Sequence, residues 1–368
     1  MTLLMLLLSC GGGNNISTTG TKISTPINKY SSNEEKQTIT FSDKVTESEQ
    51  KEAKDFWSKF RTAFDDVVDY AGDRAINVAS TKSKSLVDYI EKVALDDKEF
   101  KNLLSSLKIE RTISGGSVAN SIVGLSQLGN KVGFIGKVSD DELGSKYEEG
   151  LKSEKVEYFY HKKKEELPTG TCLILVTPDS ERTMCTFLGT AGKINENDVE
   201  VDVVKNSEII FLEGYLWDEG EPKKAFEKAI NNANKVAMSL SDQFCVDRHK
   251  THFLELVKNK LDIIFANEQE MMALIDAKSF DEVISFGKEL NKTLVVTRGE
   301  KGAISITGDV ITENGVEENL NIKDLTGAGD LFAAGFLHGF INKLDAMECL
   351  NKGKEMSSKV IQQIGARL

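Results

Sequence analysis

Lys323-Asp324-Leu325-Thr326-Gly327-Ala328-Gly329-Asp330, running directly into Leu331-Phe332-Ala333-Ala334-Gly335-Phe336-Leu337, joins a loop without bulky side chains to an apolar helical run. In such a loop, backbone N–H groups converge on an anion at a helix N-terminus, where the helix dipole also favours negative charge. A carboxylate directly behind the loop, Asp330, is placed to take a proton from an attacking hydroxyl. The combination points to phosphoryl transfer, whose catalysis is mainly positioning and charge stabilisation. Taken alone, the stretch also fits an ordinary Gly-rich turn in which Asp330 caps a helix.

Working outward, short apolar runs alternate with helical patterns from about Ile109 onward. Lys131–Gly136, Thr171–Val176, Ile209–Leu212, Lys235–Leu240, Ile263–Ala266 and Thr293–Thr297 read as buried strands. Helical segments between most of them give the βαβ pattern of a largely parallel sheet, whose ligands sit beyond the carboxyl ends of the strands.

Three further pieces fall at such ends. Ser114-Gly115-Gly116-Ser117-Val118-Ala119-Asn120 opens a helix ahead of the strand at Val132, and by itself is equally a plain helix start. Asn267-Glu268-Gln269-Glu270 follows Ile263–Ala266, and Asn with Glu three residues on is also a capping box. Thr297-Arg298-Gly299-Glu300-Lys301-Gly302-Ala303 ends a strand in a turn.

In this order, with the Asp330 loop as the fourth piece, the chain closely resembles the ribokinase-like (PfkB) family of carbohydrate and nucleoside kinases over about residues 108–368. Ser241–His249, Arg182–Gly189 and Ile361–Arg367 look most like its bacterial adenosine kinase branch. The resemblance implies a three-layer α/β/α fold with a mostly parallel central sheet and a small β lid. It implies an ATP- and Mg²⁺-dependent kinase that phosphorylates the 5′-hydroxyl of adenosine in purine salvage. The alternatives are a kinase of another nucleoside or a sugar of the ribose or fructose type, or a catalytically impaired, membrane-tethered lipoprotein fusion.

Carried over residue by residue, Asp330 would be the base, and Gly327, Ala328 and Gly329 would hold the charge on the migrating phosphoryl group. Asn267 and Glu270 would organise Mg²⁺ through its waters, and Thr297, Gly299 and Gly302 would line the ATP side. Gly115, Gly116 and Asn120 would meet the ribose hydroxyls. Strands near Thr171–Val176 and Arg182–Leu188 would form part of the lid, with Phe187 either touching the base or packing within the lid.

The charge balance, 46 Lys+Arg against 58 Asp+Glu for a net −12, argues against a general nucleic-acid surface. A small-molecule substrate and a monomer are expected. Five cysteines, an odd number without metal-ligand spacing, read beyond Cys10 as reduced core thiols. No run of 18 apolar residues marks a transmembrane helix.

Met1–Cys10, with Leu7-Leu8-Ser9-Cys10 in the place of a lipobox, weakly resembles a bacterial, spirochaete-type lipoprotein leader, although its positive charge is missing. It is equally an apolar start. Residues 1–46 are therefore expected to be leader and disordered tether, 47–107 a helical extension, and 108–368 the kinase domain. The family's first strand, a Gly-Asn-x-x-x-Asp segment, is not recognisable, and Gly72–Val78 with Asn77 is the nearest candidate. The N-terminal strand and part of the lid are expected to be missing. A kinase that uses cytosolic ATP belongs in the cytoplasm; lipid anchoring through Cys10 is the alternative.

Overall fold

The computed structural model describes residues 2–6, 92–94, 112–160, 162–176, 182–217 and 221–368. Within them the strands are β1 (Thr2–Leu6), β2 (Lys92–Ala94), β3 (Lys131–Ile135), β4 (Glu157–Tyr158), β5 (Thr171–Val176), β6 (Arg182–Phe187), β7 (Ile209–Glu213), β8 (Val236–Ser239), β9 (Ile263–Asn267), β10 (Thr293–Thr297), β11 (Ala303–Thr307) and β12 (Val310–Asn314). The helices are α1 (Ser117–Gln127), α2 (Glu142–Ser153), α3 (Val201–Lys205), α4 (Glu221–Asn232), α5 (Gln243–Asn259), α6 (Glu268–Ile275), α7 (Phe280–Leu290), α8 (Ala328–Ile341) and α9 (Ala346–Val360).

The main sheet runs β12-β11-β10-β9-β8-β7-β1-β3-β4. It is parallel from β10 through β4, and the edge hairpin β11–β12 runs antiparallel. All five residues of β7 are buried, as are Val132–Ile135 of β3 and Ile263–Ala266 of β9. A strand buried at successive positions is covered on both faces, which is why these segments are continuous apolar runs and not alternating ones. The expected ribokinase-like α/β architecture is the one found.

Two expectations change. The sheet does not lack an N-terminal strand: β1 lies between β3 and β7, with Leu4 opposite Gly133 on one side and Ile210 on the other. An apolar run such as Thr2-Leu3-Leu4-Met5-Leu6 suits a central parallel strand as well as it suits a leader, and here the neighbouring strands supply hydrogen-bond partners along its length. Lys92–Ala94, expected within a helical extension, forms a short strand parallel to β6. The rest of that extension, the tether, Cys10 and Asn77 lie outside the described residues.

The chain divides into two compact units. One holds the main sheet and its helices. The other contains β2, β6 and β5, in that order, with β5 and β6 paired as an antiparallel hairpin. Thr171–Val176 therefore belongs to this small sheet and not to the parallel one, and its Ile174 is exposed. No helix among the described residues is long and apolar enough to cross a membrane.

Helix α8 is seated deeply. Eight of its residues, including Leu331, Phe332, Phe336 and Leu337, are buried, as expected of a helix that is apolar all round. Phe336 meets Phe265 of β9 edge to face at 5.5 Å, and Phe265 meets Phe211 of β7 at 5.5 Å. A Cβ on Gly335 would stand 2.2 Å from the Lys352 carbonyl oxygen, so α8 and α9 touch backbone to backbone there. This packing fixes where the N-terminus of α8 points.

Candidate active site

Gly327 is the N-cap of α8 and adopts φ 81°, a left-handed conformation that disfavours side chains. A Cβ at Gly327 would also come within 2.6 Å of the Ala366 Cβ, whereas one on Gly329 would meet nothing within 4 Å. The loop is thus tight on the side of the C-terminal segment and open over Gly329. The first helical turn leaves N–H groups without helical acceptors, and this open, positively polarised end is suited to an anion.

Asp330 stands in that first turn, half-buried and held at both carboxylate oxygens. Ser117 donates its hydroxyl to Oδ1 at 2.8 Å, and Asn120 donates Nδ2 to Oδ2 at 2.9 Å. Ser121 donates to the Asp330 main-chain carbonyl at 2.8 Å. All three donors lie on one face at the start of α1. They reach Asp330 because α1 packs on α8 closely enough that a Cβ on Gly124 would fall 2.6 Å from Leu331 Cδ1. The glycine motif at residues 115–116 and the Asp330 loop, some two hundred positions apart, form one site.

The start of α1 is itself pinned. Gly116, its N-cap at φ 96°, has no side chain to offer, and the Val118 amide is instead met at 3.1 Å by Oε2 of Glu213, a fully buried carboxylate at the end of β7. A carboxylate at a helix N-terminus is favoured by the helix dipole. The next residues turn into Gly214–Leu216, where the Tyr215 hydroxyl donates to the Ser241 carbonyl at 3.1 Å. Burial, reinforced by the carboxylates of Asp242 and Glu213, pushes the Tyr215 phenol well above its ordinary pKa, so it stays a neutral donor.

At the ends of β9 and β10 a second cluster forms. Thr297 lies opposite Asn267 in the parallel register. Asn267 Oδ1 accepts from the Glu270 amide at 2.8 Å, while Glu270 accepts from the Asn267 amide at 3.0 Å and from Asn267 Nδ2 at 2.6 Å. The capping-box reading of this pair is therefore realised, with Glu270 almost wholly buried. Beside it, Glu268 accepts from Arg298 Nε at 3.0 Å and pairs with Lys301 at 3.3 Å. Burial raises the Glu268 pKa, but the two cations outweigh it and hold the carboxyl below its usual range.

Among the described residues no three His, Cys, Asp or Glu side chains gather to hold a metal directly. A single buried carboxylate beside an Asn suits Mg²⁺, which keeps several waters and is bound largely through substrate phosphates. Gly299 has φ 57° with open space around its Cβ direction, while a Cβ on Gly302 would collide with the Asn314 carbonyl oxygen at 2.0 Å. Gly302 thus has a packing reason for its identity. Phe187 is buried and belongs to the unit of the small sheet.

Four contributors have no role that the sequence alone announces. Ser117 and Ser121 sit inside or beside the glycine motif, with nothing to distinguish them from ordinary first-turn hydroxyls. Glu213 has a signal, a carboxylate ending the apolar run Ile209–Leu212. Arg367, whose contacts are described below, has none beyond its membership of a stretch that resembles the adenosine kinase branch.

A helix start open to an anion, with a held carboxylate in its first turn at the carboxyl edge of a parallel sheet, is an arrangement suited to phosphoryl transfer to a hydroxyl. The chain belongs to the pfkB family of carbohydrate kinases, whose model matches residues 85–368. It is 35% identical to the adenosine kinase of Sinorhizobium meliloti, covering 76% of this chain and 86% of that one with a TM-score of 0.73. It is 34% identical to a probable sugar kinase of Rhizobium etli over the same shares, with a TM-score of 0.71. It is also 26% identical over 298 residues to a 5-dehydro-2-deoxygluconokinase of Clostridium botulinum, covering 74% of this chain and 86% of that protein. Membership of a kinase family implies ATP as the phosphoryl donor.

Proposed function

We propose that this chain phosphorylates the 5′-hydroxyl of adenosine with ATP, giving AMP and ADP, and that Asp330 is its base. The observation that carries the reading is the Asp330 carboxylate in the first turn of α8, held by Ser117 and Asn120 from α1. A carboxylate is an acceptor-only group with about four lone-pair sites, so being held in place by hydrogen bonds is compatible with taking the proton of an incoming hydroxyl. The substrate oxygen attacks the γ-phosphorus as its proton passes to Asp330, and the bond to ADP breaks. Gly327, Ala328 and Gly329 offer the helix N-terminus to the charge on the migrating group.

Gly115 and Gly116 would let the ribose approach the backbone, with Asn120 beside it; Phe187 would either touch the base or pack within the lid. Thr297, Gly299 and Gly302 would border ATP, and Asn267 with Glu270 would order the waters of Mg²⁺, which supplies charge neutralisation at the phosphates. Such a kinase works where ATP is, in the cytoplasm, as a monomer. Anchoring through Cys10 is the alternative arrangement.

The likeness to the Sinorhizobium adenosine kinase, and the resemblance of Arg182–Gly189, Ser241–His249 and Ile361–Arg367 to that branch, support adenosine. The 5-dehydro-2-deoxygluconokinase relatives favour a second reading, a sugar-acid kinase, at lower identity. A coupled assay with ATP, Mg²⁺ and a panel of adenosine, inosine, ribose, fructose and 5-dehydro-2-deoxygluconate separates them. Adenosine should give the highest kcat/KM; a higher value for any sugar or sugar acid overturns the adenosine assignment.

A further inference from the structure

Arg367 makes two contacts that converge on the same site. Its Nε donates to Asn120 Oδ1 at 3.0 Å, and its Nη2 donates to the Gly115 carbonyl at 2.9 Å. Its guanidinium also lies 5.9 Å from the centre of the Tyr147 ring, whose residue is fully buried, and Gln363 donates to the Arg367 carbonyl. The segment that carries it is fastened to the anion loop. Asp324 accepts from the Gly365 amide at 3.0 Å and from the Thr326 amide at 2.9 Å, the Lys323 amide donates to the Ile361 carbonyl at 2.8 Å, and Ala366 fills the space beside Gly327.

We propose that Arg367 is a positioning residue for the phosphoryl-transfer base: it fixes the Asn120 carboxamide so that only its NH₂ faces Asp330, and it holds the Gly115 carbonyl where the acceptor hydroxyl must approach. A carboxamide has a donor end and an acceptor end of nearly equal shape, so shape alone does not decide which end meets Asp330. A guanidinium has five donors and no acceptor, so the amide end it binds must be the oxygen. The opposite orientation would set Oδ1 against the Asp330 carboxylate, an acceptor against an acceptor. Arg367 acts through Asn120 and touches no reacting atom, yet one residue aligns the base and the substrate loop together.

This inference rests on the kinase reading above, and the experiment separates the two. Arg367→Met keeps an unbranched stem and removes every donor; Arg367→Lys keeps one charged donor group; Arg367→Ala opens room for a free guanidinium ion. With the best substrate of the panel, Arg367→Met should lower kcat by about 10- to 10²-fold, the scale of a slightly misplaced reacting group, while the Kd for ATP stays near that of the unaltered chain. Arg367→Lys should fall between, and guanidinium added far below denaturing concentrations should restore part of the kcat of Arg367→Ala while leaving the unaltered chain unchanged. A loss of kcat accompanied by equal weakening of ATP binding, with no rescue by lysine or guanidinium, would mark a merely structural arginine and overturn the proposal.

A crystal structure of Arg367→Met decides independently of turnover. The Asn120 amide should rotate or leave Asp330; an Asn120 Nδ2 still within about 3 Å of Asp330 Oδ2 overturns the inference. Inactivity of the unaltered chain toward the whole panel would sink the proposed function instead, and the Asn120 geometry in the variant would still show whether Arg367 orients the amide.

Discussion

Ser117 donates its hydroxyl to Asp330 at 2.8 Å, across 213 positions of sequence. The bond joins the first turns of α1 and α8, so the glycine pair ahead of one helix and the anion loop ahead of the other open onto the same place. Ser117 and Asn120 are charge-neutral donors, one to each carboxylate oxygen, and together they fix its orientation.

Loss of Ser117 should therefore cost alignment more than chemistry. Ser117→Ala removes one donor to the carboxylate, and kcat should fall by about 10- to 10²-fold, the range of a single hydrogen bond to a charged group. Steady-state kinetics check this, and an unchanged kcat would mean that the Ser117 bond does not position the base.

Glu270 has a role in the capping box whatever else it does. Its replacement by Gln should lower stability by about 1 kcal/mol, the usual scale of a lost cap interaction. If it also orders Mg²⁺ waters, the Mg²⁺ concentration for half-maximal rate should rise several-fold in a titration at fixed ATP. A stability loss with no change in Mg²⁺ requirement leaves the cap as the whole of its role.

Gly335→Ala tests the contact of α8 with α9. The added Cβ would meet backbone at 2.2 Å from the Lys352 carbonyl oxygen, a position no side-chain rotation relieves. Thermal or urea unfolding should show a loss of about 1–3 kcal/mol or more, as for overpacked cores. The same substitution at Gly329, where a Cβ meets nothing within 4 Å, should leave stability nearly unchanged.

In α9, Lys359 and Lys352 approach Glu355 at 2.6 and 2.9 Å and hold its pKa down to about 2 from 4.5. A depressed carboxylate contributes stability above its ordinary pKa and loses it as pH falls from 4.5 toward 2. These side chains are about half exposed, so screening should limit Glu355→Gln to about 0.5 kcal/mol at neutral pH. Denaturant midpoints of the two proteins should converge below pH 4.5.

How far the sequence can be read depends on what decides each element. The inner strands β3, β7, β8, β9 and β10 are legible because burial on both faces leaves an unbroken apolar run that no loop would carry. The hairpin β11–β12 at the sheet edge is not, since Val310 and Ile311 are exposed and the pattern between them and Asn314 is mixed. Thr2–Leu6 has the composition of both a leader and a central strand; only its pairing with β3 and β7, set by residues more than a hundred positions away, separates the two. In the same way Asp330 is legible from its own loop, whereas Arg367 and Glu213 acquire meaning from Asn120 and Val118, which no local pattern connects to them.

The central claim is that Asp330 is a base at an anion-binding helix start. Asp330→Asn keeps the shape and removes the proton acceptor, and its single measurement is kcat on the best panel substrate alongside the Kd for ATP. A fall in kcat of roughly 10²- to 10⁴-fold with nearly unchanged ATP binding is the expected result. A variant that keeps more than about a third of the original kcat, with a stability loss near 1 kcal/mol, would show that Asp330 does no more than cap α8.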